Sequence, residues 1–129
     1  NRNMLREVYK KDTDLVWVIS DSVLLNNDNF AEVWVSAARR LKKPFIAGIK
    51  TFSSTDMGFC VYSASPNHKD LGNQIAEQIF TLMDDEEIKA DEVGVEYILS
   101  VIKSVNMNTL PEYGLKVDKE KMADVKVNK

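Results

Sequence analysis

Residues 15–30, LVWVISDSVLLNNDNF, decide how this chain folds. The continuous apolar run from Leu15 to Ile19 is typical of a strand that is covered on both faces, and it ends abruptly at Ser20-Asp21-Ser22. From Asn29 onward, the apolar residues recur with the 3.6-residue period of a helix. A buried strand followed directly by an amphipathic helix is the building unit of layered α/β proteins.

The same alternation of strands and helices continues along the chain. Three more stretches predict strands: PFIAGI at 44–49, GFCVYS at 58–63, and the alternating apolar residues from Val95 to Val101. Helical spacing and stop signals predict five helices: NMLREVYKK at 3–11, residues 29–43, a segment that begins at Pro66, NTLPEYGL at 108–115 with Gly114 as its stop, and DKEKMADV at 118–125. The last residues, KVNK, are expected to be a loose end. We therefore predict an α/β fold with a mostly parallel sheet and flanking helices.

Length and composition limit the possible classes of protein. With 129 residues, 44% hydrophobic and 29% charged, the chain suits one globular domain with a modest core. The net charge of −3 provides no basic face for phosphates, so no nucleic-acid partner is expected. No apolar run reaches the roughly 18 residues that a membrane-spanning helix needs.

The sequence contains no recognisable catalytic motif. It has no nucleophile elbow, zinc-protease signature, P-loop or dinucleotide-binding glycine pattern. The single cysteine, Cys60, lies in an apolar run and is interpreted as a small buried hydrophobic residue. One cysteine also excludes an internal disulfide and a CxxC metal site. We expect a binding protein with no catalytic residue, no cofactor and no metal, rather than an enzyme.

Polar residues follow three of the predicted strands. They are Ser20-Asp21-Ser22, then Lys50-Thr51 with Ser53-Ser54-Thr55, then Tyr62-Ser63 with Ser65. Ligands of open parallel sheets bind outside the carboxyl ends of the strands. Asp21 could pair with a ligand ammonium while Ser22 adds a hydrogen bond, or it could cap the turn that enters the helix. The predicted ligand-binding residues are Asp21, Ser22, Ser53, Tyr62 and Ser63.

The order of these segments resembles a known family. The stretches are TDLVWVISDSVLL at 13–25, KKPFIAGI at 42–49, GFCVYSASPNHKDLGNQIAEQI at 58–79 and VNMNTLPEYGL at 105–115. Together they resemble the C-terminal half of ABC transporter substrate-binding proteins of the tryptophan/tyrosine type and their relatives. Two departures stand out. Ser20-Asp21-Ser22 replaces the family's P-D-N or P-D-P, and Lys69-Asp70 stands where the family has an acid and a tyrosine.

The resemblance implies a two-lobed, periplasmic-binding-protein-like architecture with flavodoxin-like lobes, of which this chain is one half. Residues 1–63 would belong to the lobe that contains Asp21. Residues 64–129 would supply a crossover helix, a strand and the C-terminal helices, with Ser63, Ala64 and Ser65 as the hinge. The implied function is the capture of a small polar or amino-acid-like solute in the inter-lobe cleft. The implied location is periplasmic or extracytoplasmic, and the implied partner is an ABC permease or a sensor module.

Two further expectations follow. A self-contained flavodoxin-like signalling or interaction domain is the alternative that the residues leave open. Half of a clamshell would expose apolar surface, including Trp17, Trp34, Phe59 and the stripe of Leu71, Ile75 and Ile79. Because large exposed apolar patches drive association, we expect a homodimer or a domain swap.

Overall fold

The chain divides into two compact units. The computed structural model describes residues 7, 12–84, 89 and 91–128, so the helix predicted at 3–11 lies, apart from Glu7, outside the described residues. Unit 1 comprises Asn1–Ser65 and Ile102–Lys129, and unit 2 comprises Pro66–Val101. The chain therefore leaves unit 1 once, after Ser65, and returns to it once, at Ile102.

Five strands form one sheet, in the spatial order β1-β2-β3-β4-β5. They are β1 (Val16–Val18), β2 (Phe45–Ala47), β3 (Tyr62–Pro66), β4 (Val101–Asn106) and β5 (Val125–Asn128). The β1–β2, β2–β3 and β4–β5 pairs are parallel. Between β3 and β4, Asn106 N donates to Val61 O, whereas Asn67 N donates to Ser100 O, a progression that is antiparallel. The predicted α/β fold with a mostly parallel sheet is confirmed.

The helix after β1, here called α1, spans residues 27–41 in three consecutive pieces. Asn27–Asn29 is α-helical, Phe30–Val35 is π-helical and Ser36–Leu41 is α-helical. The side chain of Asn26 caps its start by accepting from Asn29 N at 2.9 Å. The wide π turn carries Trp34, which is buried and donates its indole N–H to Leu24 O at 2.8 Å. This bond anchors α1 to the turn that follows β1.

The main core lies between α1 and the β1–β2 side of the sheet. Alternation along both strands buries Val16, Val18, Phe45 and Ala47 on the α1 side. Four phenylalanines, Phe30, Phe45, Phe52 and Phe59, form an aromatic cluster within this core. Its ring centroids are 4.7–5.3 Å apart, within the range of favourable aromatic pairs. The cluster joins α1, β2 and the connection to β3.

A second, smaller core covers the β3–β5 side of unit 1. Its buried members are Val61, Val105 and Leu110. Leu110 belongs to a 3₁₀ turn, Leu110–Tyr113, which ends at Gly114 with a left-handed φ of 66°. Two other 3₁₀ turns, Lys50–Ser53 and Lys119–Met122, complete unit 1. The glycine stop that the sequence suggests at Gly114 is thus present.

Unit 2 has no buried residue in the part of it that the structure describes. Its main element is a 17-residue helix, α2 (His68–Asp84), on which Ile79, Phe80 and Met83 are exposed. An amphipathic helix is stabilised mainly by burying its apolar face. The exposed apolar side chains of α2 therefore contribute little to the stability of this helix.

Several local predictions were wrong. The alternating segment at 95–101 is not a strand, because β4 begins only at Val101, where the chain finds partners in its neighbouring strands. Pro66 is the last residue of β3 rather than the start of a helix. The predicted loose end is β5, paired with β4, and the predicted helix at 118–125 shortens to one 3₁₀ turn. Trp34 and Phe59, expected to be exposed, are buried.

The aromatic core generates a test of stability. Phe45→Ala, at a side chain with no exposed surface, should lower the free energy of unfolding by about 3–5 kcal/mol, because it removes contacts and leaves a cavity. Phe80→Ala is the matched control, since its ring is 62% exposed, and should change that free energy by no more than about 0.5 kcal/mol. Urea unfolding measures both. Equal effects of the two substitutions would contradict the assigned core.

Candidate functional site

The carboxyl ends of β1, β2 and β3 meet at one edge of unit 1. The parallel register pairs Trp17 with Ile46 and Ile46 with Tyr62, so the three strands point in the same direction and end at the same edge. Beyond the strands, Ser20 packs against Gly48: a Cβ on Gly48 would lie 2.5 Å from Ser20 Oγ. The ends of β1 and β2 therefore approach closely, and a side chain at position 48 would require the Ser20 hydroxyl to move.

Asp21 lies at this edge in an exposed turn. Its Oδ1 accepts from Val23 N and from Leu24 N, both at 2.9 Å, and its backbone oxygen accepts from Leu25 N at 2.9 Å. Asp21 therefore does cap the turn between β1 and α1. Both side-chain bonds end on Oδ1, so Oδ2 accepts no hydrogen bond from the part of the chain that the structure describes. Ser22 is exposed in the same turn.

Ser53 and Ser63 come together inside unit 1. Both are fully buried, and their Oγ atoms are 2.7 Å apart. Ser53 Oγ donates its one proton to Lys50 O at 3.0 Å, so Ser63 must be the donor between the two hydroxyls. These hydroxyls are already satisfied by protein groups. That they bind a ligand stays a prediction, and such binding would require the 50–53 turn to move.

An amide and hydroxyl cluster that the sequence reasoning missed surrounds this pair. Asn128 Nδ2 donates to Ser53 O and to Ser104 Oγ, each at 2.8 Å. Asn106 Nδ2 donates to Ser54 O at 3.1 Å, and Asn106 is 1% exposed. The cluster fixes the turn after β2 onto the ends of β4 and β5. Its only signal in the sequence is that Asn106 and Asn128 each directly follow a valine, Val105 and Val127.

Tyr62 and the predicted hinge residues lie along β3. Tyr62 alternates with Ser63 and faces the other side of the sheet, where it borders a cavity of about 230 Å³. That cavity is lined by Trp17, Ile46, Ala47, Gly48, Tyr62 and Ala64. Ala64 is exposed and Ser65 is 6% exposed, next to the point where the chain leaves unit 1. The hinge role of Ser63, Ala64 and Ser65 stays a prediction.

Cys60 matches its interpretation as a buried hydrophobic residue. It has no exposed surface, and burial raises the pKa of its thiol to about 12. At neutral pH the sulfur is therefore a protonated thiol rather than a nucleophilic thiolate. Within the described ranges, no three His, Cys, Asp or Glu residues group so as to hold a metal ion. No helix in those ranges is both long enough and apolar enough to cross a membrane.

Comparison with known proteins gives structural likeness alone. No family model matches the chain, and no curated protein matches it in sequence. A conserved domain protein from Vibrio cholerae O1 biovar El Tor strain N16961 is similar, with a TM-score of 0.62 and 14% identity over 99% of this chain. CD0873 from Clostridium difficile, a substrate-binding protein with adhesive properties in its ligand-free, open structure, is similar with a TM-score of 0.63 and 14% identity over 100% of this chain.

The chain spans only about two fifths of each of these proteins, 40% of the first and 41% of the second. At 14% identity the likeness establishes the fold, which is broadly that of substrate-binding proteins, and not a specific family. The finer resemblance to the tryptophan/tyrosine type stays a prediction.

The cap at Asp21 can be tested by its effect on stability. Asp21→Ala should lower the free energy of unfolding by about 0.5–2 kcal/mol, because Val23 N and Leu24 N lose their acceptor. Asp21→Asn is the matched control, since its amide oxygen can replace Oδ1, and it should recover most of the loss. Denaturant titration measures both. Equal losses would show that the negative charge, not the acceptor, stabilises the turn.

Proposed function

We propose that this chain belongs to a solute-binding protein and that the carboxyl edge of β1–β3 holds a small polar or amino-acid-like ligand. The observation that carries the proposal is the exposed Asp21 turn beside the close approach of Ser20 and Gly48. This is the edge at which open parallel sheets bind ligands. The similarity of fold to a substrate-binding protein supports the same assignment.

The charges at this edge favour an amino-acid-like solute. Asp21 keeps Oδ2 free of protein hydrogen bonds among the described residues, which suits a ligand ammonium. Lys50, exposed at the start of the turn after β2, supplies a cation for a ligand carboxylate. Ser22 offers a hydroxyl in the Asp21 turn. A group of this kind suits a zwitterion better than a phosphate, which would call for several cations.

The division of the chain supports a two-lobed protein over a self-contained signalling domain. Residues 102–129 join unit 1, whereas residues 66–101 form a unit without a buried residue in its described part. We propose that β3 and β4, which carry the chain out of unit 1 and back, include the hinge at Ser63-Ala64-Ser65. A solute would favour the closed state through contacts that the open state lacks. We further propose that the protein passes its solute to an ABC permease or acts through a sensor module. We also propose that it works outside the cytoplasm.

The proposed site can be tested with a panel of the twenty amino acids. Isothermal titration calorimetry on the protein as it is purified from its own cells should find a binder. Asp21→Asn, which keeps the capping oxygen but removes the charge, should weaken that binding by about 1–3 kcal/mol. Asp28→Asn is the matched control, because Asp28 is an exposed acid at the start of α1, and it should bind as the unmodified protein does. Unchanged affinity in Asp21→Asn would contradict the site.

A further inference from the structure

Two buried serine hydroxyls form a chain of hydrogen bonds that ends on Lys50. Ser63 Oγ donates to Ser53 Oγ at 2.7 Å, and Ser53 Oγ donates to Lys50 O at 3.0 Å. Neither serine has exposed surface, so both are closed off from a solute in this arrangement. The residue at the end of the chain is accessible, because Lys50 is exposed in the turn after β2.

The turn that carries Lys50 is also held by the ends of two other strands. Asn128, the last residue of β5, donates from Nδ2 to Ser53 O at 2.8 Å. Asn106, the last residue of β4, donates from Nδ2 to Ser54 O at 3.1 Å. The Lys50 ammonium, by contrast, makes no ion pair or hydrogen bond with the residues that the structure describes. The backbone of the turn is therefore fixed, and the charged group that it carries is available to a ligand.

We propose that Ser53 and Ser63 are positioning residues, which act on the solute through Lys50 rather than by touching it. The inference rests on the proposed function, in which Lys50 meets the ligand carboxylate. A hydrogen bond to Lys50 O fixes the peptide plane that follows Lys50, and so fixes the direction in which the lysine side chain leaves the backbone. Because a group on a fixed support loses less conformational freedom when it binds, the affinity for the ligand rises.

Alanine substitutions at two equally buried serines separate positioning from packing. Ser53→Ala removes the hydroxyl that donates to Lys50 O, and the affinity for the amino acid that binds most tightly should fall about three- to tenfold in calorimetry. Ser104→Ala is the matched control, because Ser104 has no exposed surface and its hydroxyl accepts from Asn128 instead of donating to Lys50. It should leave the affinity unchanged, although urea unfolding should show that both variants lose stability.

A double-mutant cycle with Lys50→Met tests whether the effect passes through the lysine. Lys50→Met should itself weaken binding, and in that background Ser53→Ala should weaken it no further. An equal loss in both backgrounds would show that Ser53 acts on the ligand independently of Lys50, and would overturn the inference. If Lys50→Met binds too weakly to titrate, the contrast between Ser53→Ala and Ser104→Ala decides.

The outcomes distinguish a failure of this inference from a failure of the proposed function. If none of the twenty amino acids binds the unmodified protein, the proposed function fails and the inference fails with it. If Lys50→Met binds as tightly as the unmodified protein, the proposed role of the lysine fails, and the inference again with it. If the unmodified protein binds but Ser53→Ala binds equally tightly, or Ser104→Ala loses as much affinity as Ser53→Ala, the inference alone is overturned. Circular dichroism checks that each variant folds, and Ser63→Ala, which removes the donor to Ser53 Oγ, replaces Ser53→Ala if that variant does not.

Discussion

The packing of three phenylalanine rings around Phe59 is the interaction on which the rest of unit 1 depends. Phe59 contacts Phe30 of α1, Phe45 of β2 and Phe52 of the turn after β2, with ring centroids 4.9–5.3 Å apart. The connection from β2 to β3 is therefore folded back onto the helix. Because these contacts hold the start of α1 against the start of β2 and the turn after it, they also position the edge at which Asp21 and Gly48 lie.

Buried polar groups also hold the turn after β2 in place. The paired hydroxyls of Ser53 and Ser63 and the amides of Asn106 and Asn128 hold the same turn against β3, β4 and β5. No buried side-chain nitrogen or oxygen in the described ranges lacks a hydrogen-bond partner. Since an unsatisfied buried group is costly, this cluster specifies one arrangement of the turn. Because the buried serines are already satisfied by protein groups, the ligand site that we propose is centred on the exposed turn at Asp21.

The sequence predicted the parts of the fold that depend on local pattern. The apolar runs ending at Ile19 and Ser63 and the helical period from Asn29 were enough for the α/β class, the parallel strands and α1. The prediction of a strand at 95–101 was wrong, because alternation alone does not show whether a neighbouring strand is available for pairing. β5 was missed for the converse reason, since its short polar-ended sequence becomes a strand only through pairing with β4.

The site was only partly predictable, because part of it also depends on tertiary contacts between distant residues. Asp21 could be found because an acid directly after a buried strand is a local signal, and its capping role was foreseen as one of two alternatives. The pairing of Ser53 with Ser63 joins residues ten positions apart through tertiary packing, which no pattern in the sequence reveals. The room that Gly48 leaves for Ser20 likewise depends on the register of β1 against β2.

The most direct test of the account is a backbone amide NMR titration with the amino acid that binds most tightly. The account predicts that the largest shift changes fall on residues 20–24, 48–50 and 64–65, at the carboxyl edge of β1–β3. Changes centred instead on the opposite end of the strands, or on the groove between α1 and the turn at Glu112 and Tyr113, would contradict it.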